Sequence, residues 1–307
     1  MLSPEQKSRV NLDLWLQAMD FSQIRQLYIH DFRGPPELLT RLAPSLPSLQ
    51  FLGVEGKGLG PLVDALPNRS LQHLFYIDPG PAHDLDQILA TQGDSLKTLQ
   101  WYTTEHWIPM LRPVLSPLQL RELRTSAPNL QSLAIDLNRD NTTWPWDHLE
   151  ALRDGMPAGL ERLTIYFDEM SECRRQHHSV WEMYGDEPCP PNEREPHPTL
   201  TTETAHEVAA FLLGDVQKAS VLAHISFRTD YEDGLIPDSL LSGLPEYERQ
   251  SSKSIQCSVF KGPNDVQCTV LNGAEDVHSV DGYITDFNRN VYYPNARLGW
   301  NRPYILH

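Results

Sequence analysis

One phrase recurs along this chain and limits what it can fold into more than any other feature. The phrase is Leu, two variable residues, Leu, one variable residue, then an apolar residue. It stands at Leu49, Leu52, Val54, at Leu96, Leu99, Trp101, at Leu130, Leu133, Ile135 and at Leu160, Leu163, Ile165. Looser copies stand at Ile24, Leu27, Ile29, at Leu71, Leu74, Tyr76 and at Leu222, Ile225, Phe227. Successive starts are 25, 22, 25, 34, 30 and 62 residues apart. A short unit of this kind cannot bury its apolar side alone, so copies must stack.

The first three spacings fall within the roughly 20–29-residue period of leucine-rich repeats, and the longer ones read as the same unit with insertions. Between phrases lie helical candidates. Pro35 to Leu46 carries Leu38, Leu39, Leu42 and Leu46 behind prolines suited to a first turn. Gly60 to Leu66 is shorter. Asp84 to Ala90 places Leu85, Ile88 and Leu89 on one face behind Asp84 as N-cap. Leu118 to Thr125 and Asp147 to Met156 complete the series, and a helix opens near Glu203, with Thr204 and Glu207 as capping box and Gly214 as stop. The expected fold is α/β: an irregular leucine-rich-repeat solenoid with a parallel sheet on its concave side and helices on its convex side. A capping helix over 1–20, with Val10, Leu14 and Ala18 on its apolar face beside Trp15, precedes the solenoid over 21–230. Residues 170–202, dense in Glu, Pro, His and Arg, read as a mobile loop insertion. Residues 231–307 read as a β-rich cap closing the far end, with one antiparallel hairpin over 255–270 and another over 283–293.

The chain has 307 residues and a formal charge of −16. Such a charge repels nucleic acid and anionic membranes and favours basic or apolar protein segments. No apolar run has the length of a membrane span, and the first 16 residues lack a signal-peptide core. Four cysteines are few for a disulfide scaffold, so the expectation is a cytoplasmic or nuclear monomer with reduced thiols.

Catalytic motifs are absent: no Gly-x-Ser-x-Gly, His-Glu-x-x-His or kinase set occurs, so neither an enzyme nor a cofactor is expected. Gly53, Gly56, Gly58 and Gly60 surround Lys57, but no Ser or Thr follows that Lys, and a tight turn is the expected role. Cys173, His177, His178 and Cys189 have zinc-ligand chemistry, though their spacing matches no closed zinc motif. An enzyme or metal-binding protein using the Cys173–Cys189 loop therefore stands as an alternative function. Cys257 and Cys268 face each other if Gly262-Pro263 turns the hairpin, and are expected as packed thiols, with a disulfide between them as the alternative.

Alternation along a strand turns three columns of the phrase away from the core. Their aromatic and histidine residues crowd the early repeats. A contiguous set of this kind marks a contact surface for a protein partner, the alternative being that the C-terminal segment or the long loop folds back over it. The candidate binding residues are Tyr28, His30, Phe51, Gly53, His73, Phe75, Ile77, Tyr102 and Tyr166. Gly53 stands between Tyr28 and Phe75, so a slot is expected there.

Two stretches resemble a known family: Leu130-Gln131-Ser132-Leu133-Ala134-Ile135-Asp136-Leu137-Asn138 behind Ala127-Pro128-Asn129, and Leu46-Pro47-Ser48-Leu49-Gln50-Phe51-Leu52. Over roughly residues 20 to 230 the chain resembles fungal leucine-rich-repeat proteins of the F-box-associated, ribonuclease-inhibitor-like kind. The resemblance implies a protein-binding solenoid. It also implies an alternative role as substrate receptor of an SCF-type ubiquitin ligase, with the F-box expected to be missing from this chain.

Overall fold

A computed structural model describes residues 13–14, 16–29, 37–55, 60–77, 83–103, 111–140, 142–168, 170–177, 189–194, 196–214, 222–229, 253–259, 266–271 and 304–306. The protein is α/β, with one mostly parallel sheet of ten strands and helices between successive strands. All seven phrases are strands: β1 (Gln26–Ile29), β2 (Phe51–Glu55), β3 (His73–Ile77), β4 (Thr98–Tyr102), β5 (Ser132–Leu137), β6 (Arg162–Phe167) and β7 (His224–Thr229). They lie side by side in chain order, and each neighbouring pair is parallel.

The register shows why the phrase is the folding unit. Leu27, Leu52, Leu74, Leu99, Leu133, Leu163 and Ile225 align across the sheet in one column. Ile29, Val54, Tyr76, Trp101, Ile135, Ile165 and Phe227 form a second. Both columns are buried in one continuous core, together with the phrase-opening leucines Leu49, Leu71, Leu96, Leu130 and Leu160. A one-residue slip in any strand would turn its apolar set out of this core, so the phrase fixes the pairing.

The helices that share this core are α1 (Glu37–Leu42), α2 (Gly60–Ala65), α3 (His83–Gln92), α4 (Pro117–Ser126), α5 (Trp146–Gly155) and α6 (Thr202–Leu213). Successive helices touch one another. Their approach is close at the end of α5: a Cβ on Gly155 would lie 1.9 Å from the Leu120 carbonyl oxygen of α4, so only glycine fits. α4 opens on a capping box made by Ser116 and Gln119. α6 is capped by Thr201 with Thr204, three residues before the expected pair of Thr204 and Glu207, while Gly214 ends it as expected. α3 begins at His83, which puts Asp84 inside the first turn rather than at the cap.

At the N-terminus residues 13–14 and 16–18 are helical. The expected apolar face does not hold at Leu14, which is 56% exposed, or at Ala18, which is exposed. Leu16 packs against the core instead. Val10 and Trp15 lie outside the described residues. At the other end β8 (Lys253–Val259) and β9 (Val266–Leu271) form the expected antiparallel hairpin and continue the sheet beyond β7. The second expected hairpin, over 283–293, lies outside the described residues. The final strand, β10 (Tyr304–Leu306), departs from the expectation of a cap at one end. It pairs parallel with β1, at the opposite edge of the sheet.

All four cysteines are paired, which corrects the expectation of reduced thiols. Cys257 and Cys268 stand directly opposite each other on β8 and β9 and are bridged. Cys173 and Cys189 are bridged across the 170–202 insertion. The reading of a reducing compartment rested in part on the small number of cysteines, and their pairing removes that ground. No helix among the described residues is long and apolar enough to cross a membrane.

Candidate functional site

The outward columns meet on the face of the sheet turned away from the core at β1 to β3. Phe51 and Phe75 stand with ring centroids 5.0 Å apart, and the His73 ring is 6.3 Å from Phe51. All three are half-buried, as is Ile77 on the next outward position of β3. Phe51 is aligned with His73, whereas Phe75 is aligned with Gly53 two positions on, so the Phe51 and Phe75 rings meet across a diagonal of the two strands. His73 Nδ1 lies 3.1 Å from Thr98 Oγ1. Partial burial, and then the Lys97 charge, hold its pKa below the ordinary histidine value. The ring is therefore neutral near pH 7 and adds to an uncharged patch.

Gly53 does not open a slot. The Tyr28 ring, only 7% exposed, lies across it: a Cβ on Gly53 would stand 2.2 Å from Tyr28 Cδ2 and 3.4 Å from Phe51 Cε1. The expected slot is filled from within the chain, because a tyrosine on β1 finds no side chain beside it on β2 and folds into the gap. Tyr28, Phe51, Phe75 and His73 thus form one continuous aromatic patch with a closed floor.

Tyr102 and Tyr166 do not join that patch. They are 5% and 8% exposed and stack on each other at 4.7 Å. Between their strands lies Asp136, fully buried, whose carboxylate accepts from the Thr103 N–H at 2.9 Å and lies 3.6 Å from Arg112 Nε. These two tyrosines are buried against each other, away from the Phe51 cluster. His30 lies outside the described residues.

Sequence reasoning missed a second region, built at the strand ends. Arg112 donates to the carbonyl oxygens of Thr103 (3.4 Å), Leu137 (3.3 Å) and Tyr166 (2.7 Å), joining the ends of β4, β5 and β6. Asn138, which the repeat pattern marks as a turn residue, donates to the Arg112 carbonyl at 2.8 Å and accepts from its Nε at 3.3 Å. One strand further on, Asp168 accepts from the Arg139 N–H at 2.8 Å and pairs with the Arg139 and Arg175 guanidinium groups. Arg139 also lies over the Trp144 and Phe167 rings and donates to the Pro198 carbonyl at 2.9 Å. The described ends of the insertion are tied to the sheet through Pro198, Arg175 and the buried Leu200; its middle, residues 178–188, lies outside the described residues. The turn acceptors Asn138 and Asp168 are visible in the repeat pattern, but nothing in the sequence marks Arg112, Arg139 or Arg175 as their partners.

Beside this anchor lies a cavity of about 330 Å³. Arg139, Asp168, Cys173, Arg175 and His177 are among its lining residues. Its cations already face Asp168 and Glu172, so the cavity carries no free cationic pair for an anion. Cys173, His177 and Cys189 bring their sulfur and ring-nitrogen atoms within 4.8 Å of one another. No protein-family model matches this sequence, and a search of curated proteins returns no match.

Proposed function

We propose that this chain is an irregular leucine-rich-repeat solenoid that recognises a protein partner on its concave face, with Phe51, His73 and Phe75 as anchor and Tyr28 as floor. The observation that carries the reading is a half-buried aromatic cluster standing on aligned, outward positions of neighbouring strands. Positions of the same columns farther along, Gln100, Ala134, Thr164 and Ser226, are small or polar. Partly desolvated aromatics framed by such residues are where interface energy concentrates. The formal charge of −16 favours a partner segment with basic residues around an apolar anchor.

The test is capture of partners on immobilised full-length chain, run in parallel with a Phe51→Ala/Phe75→Ala variant of equal circular dichroism. A partner held by the wild type and lost by the variant supports the reading. Identical capture by both chains removes it.

A further inference from the structure

We propose that Cys173, His177 and Cys189 form a redox-gated site for a zinc-class divalent cation, closed while the two sulfurs are bonded and open once they are reduced. This inference is independent of the aromatic patch. Cys173 and His177 lie one turn apart on the helical stretch 172–177, which puts both on the same side. Cys189 comes from the far side of the insertion. The Cys173 Sγ and His177 Nδ1 atoms are 3.8 Å apart. Neighbouring ligands on a tetrahedral zinc, with bonds of about 2.0–2.3 Å, stand roughly 3.5–3.8 Å apart; the candidate ligand atoms of the three residues lie within 4.8 Å of one another, and reduction lets the bonded sulfurs part to that spacing. His177 Nδ1 is also 2.9 Å from the Cys173 carbonyl oxygen. A proton on Nδ1 donated there orients the ring and leaves Nε2 with the lone pair, the arrangement that metal-binding imidazoles use.

The ligands stay close when the sulfur–sulfur bond opens, because each is held by other contacts. Arg175 ties the helical stretch to Asp168 and donates to the Met170 carbonyl at 3.0 Å. Arg194 Nε donates to the Cys189 carbonyl at 3.1 Å. Access is one-sided: Cys173 is half-buried and lines the cavity, whereas Cys189 is 2% exposed. A dithiol reductant therefore attacks Cys173 Sγ, and Cys189 leaves as a thiolate. The second thiolate of the reductant then displaces Cys173 and closes the reductant's own disulfide. Two electrons pass to the protein, and the two cysteines gain two protons. A cation that binds the thiolates releases those protons again. The fourth position of a three-ligand zinc is left to water. Cys257 and Cys268 differ: that pair joins two strands, and among the described residues no histidine is grouped with it.

The test uses the full chain, first oxidised and then treated with a phosphine reductant, which becomes its oxide. Alkylation with mass mapping identifies the opened pair, and cobalt(II) is titrated in as a spectroscopic stand-in for zinc. The reduced chain is expected to bind one cobalt with a thiolate-to-metal charge-transfer band, and the oxidised chain none. His177→Ala, at an exposed position, is expected to weaken binding by at least about tenfold, since losing even a group that only orients a metal ligand costs that much. Three results would overturn the proposal: equal binding by oxidised and reduced chains, equal binding by His177→Ala and wild type, or a folded chain that keeps Cys173 protected from alkylation under reductant.

Discussion

Gly53 and Tyr28 occupy one space between them. A Cβ on Gly53 would stand 2.2 Å from the Tyr28 ring, so Gly53→Ala must displace that ring or bend the strand. Overpacking of this size costs about 1–3 kcal/mol. The same substitution in a Tyr28→Ala background should cost much less, because the space is then vacant. Denaturant unfolding of the four chains checks this, and equal costs in both backgrounds would show that the ring does not fill the gap. His73 gives a second residue-scale expectation. Its folded pKa lies below the unfolded value, so between the two the unfolded chain binds more protons. Stability is therefore lost as pH falls from about 6.5, the free histidine value, toward the lowered folded value. His148, also lowered by burial, contributes in the same direction. Unfolding free energies at pH 7.5 and 5.5 should differ less in His73→Gln than in wild type, and an identical difference would contradict the assignment. The sequence showed which residues point outward from each strand. It could not show which of them fold over a neighbour, because that depends on side-chain size in the adjacent strand.

At the scale of elements, strands and helices were legible because each carries its own period. Leu133 and Ile135 alternate along β5, while Leu149 and Leu152 recur at helical spacing on α5. The features that escaped are contacts between elements distant in sequence. Arg112 is one: it follows β4 but donates to a carbonyl of β6 that is 54 residues away. Strand-end carbonyls must find donors, and a buried guanidinium serves three of them here. Removing one member of a buried ion pair leaves an uncompensated charge. Arg112→Met should therefore lower stability by about 3–5 kcal/mol, with exchange of backbone amides rising first at the ends of β4 to β6. A loss no larger than that of an exposed-arginine control, Arg121→Met, would contradict the role. The pairing of β10 with β1 escaped for a related reason, since a three-residue strand has no period and its partner lies at the other end of the chain.

The described residues build one mostly parallel sheet with one long core, and its outward face carries Phe51, His73 and Phe75 at one end, followed along the middle column by Gln100, Ala134, Thr164 and Ser226. The disulfides belong to this scale as well. The facing of Cys257 and Cys268 was legible from the hairpin register, whereas the meeting of Cys173 and Cys189 is decided by the path of the chain between them, which composition does not record. Recognition of a protein by the aromatic end is the central claim, and it is tested most directly by the dissociation constant of a purified captured partner. Phe51→Ala/Phe75→Ala should weaken binding at least tenfold, as loss of anchor residues worth about 2 kcal/mol or more requires, whereas Ser132→Ala, on an outward position away from the cluster, should leave it within about twofold. Unchanged affinity in the aromatic variant, or an equal loss in Ser132→Ala, would contradict the account.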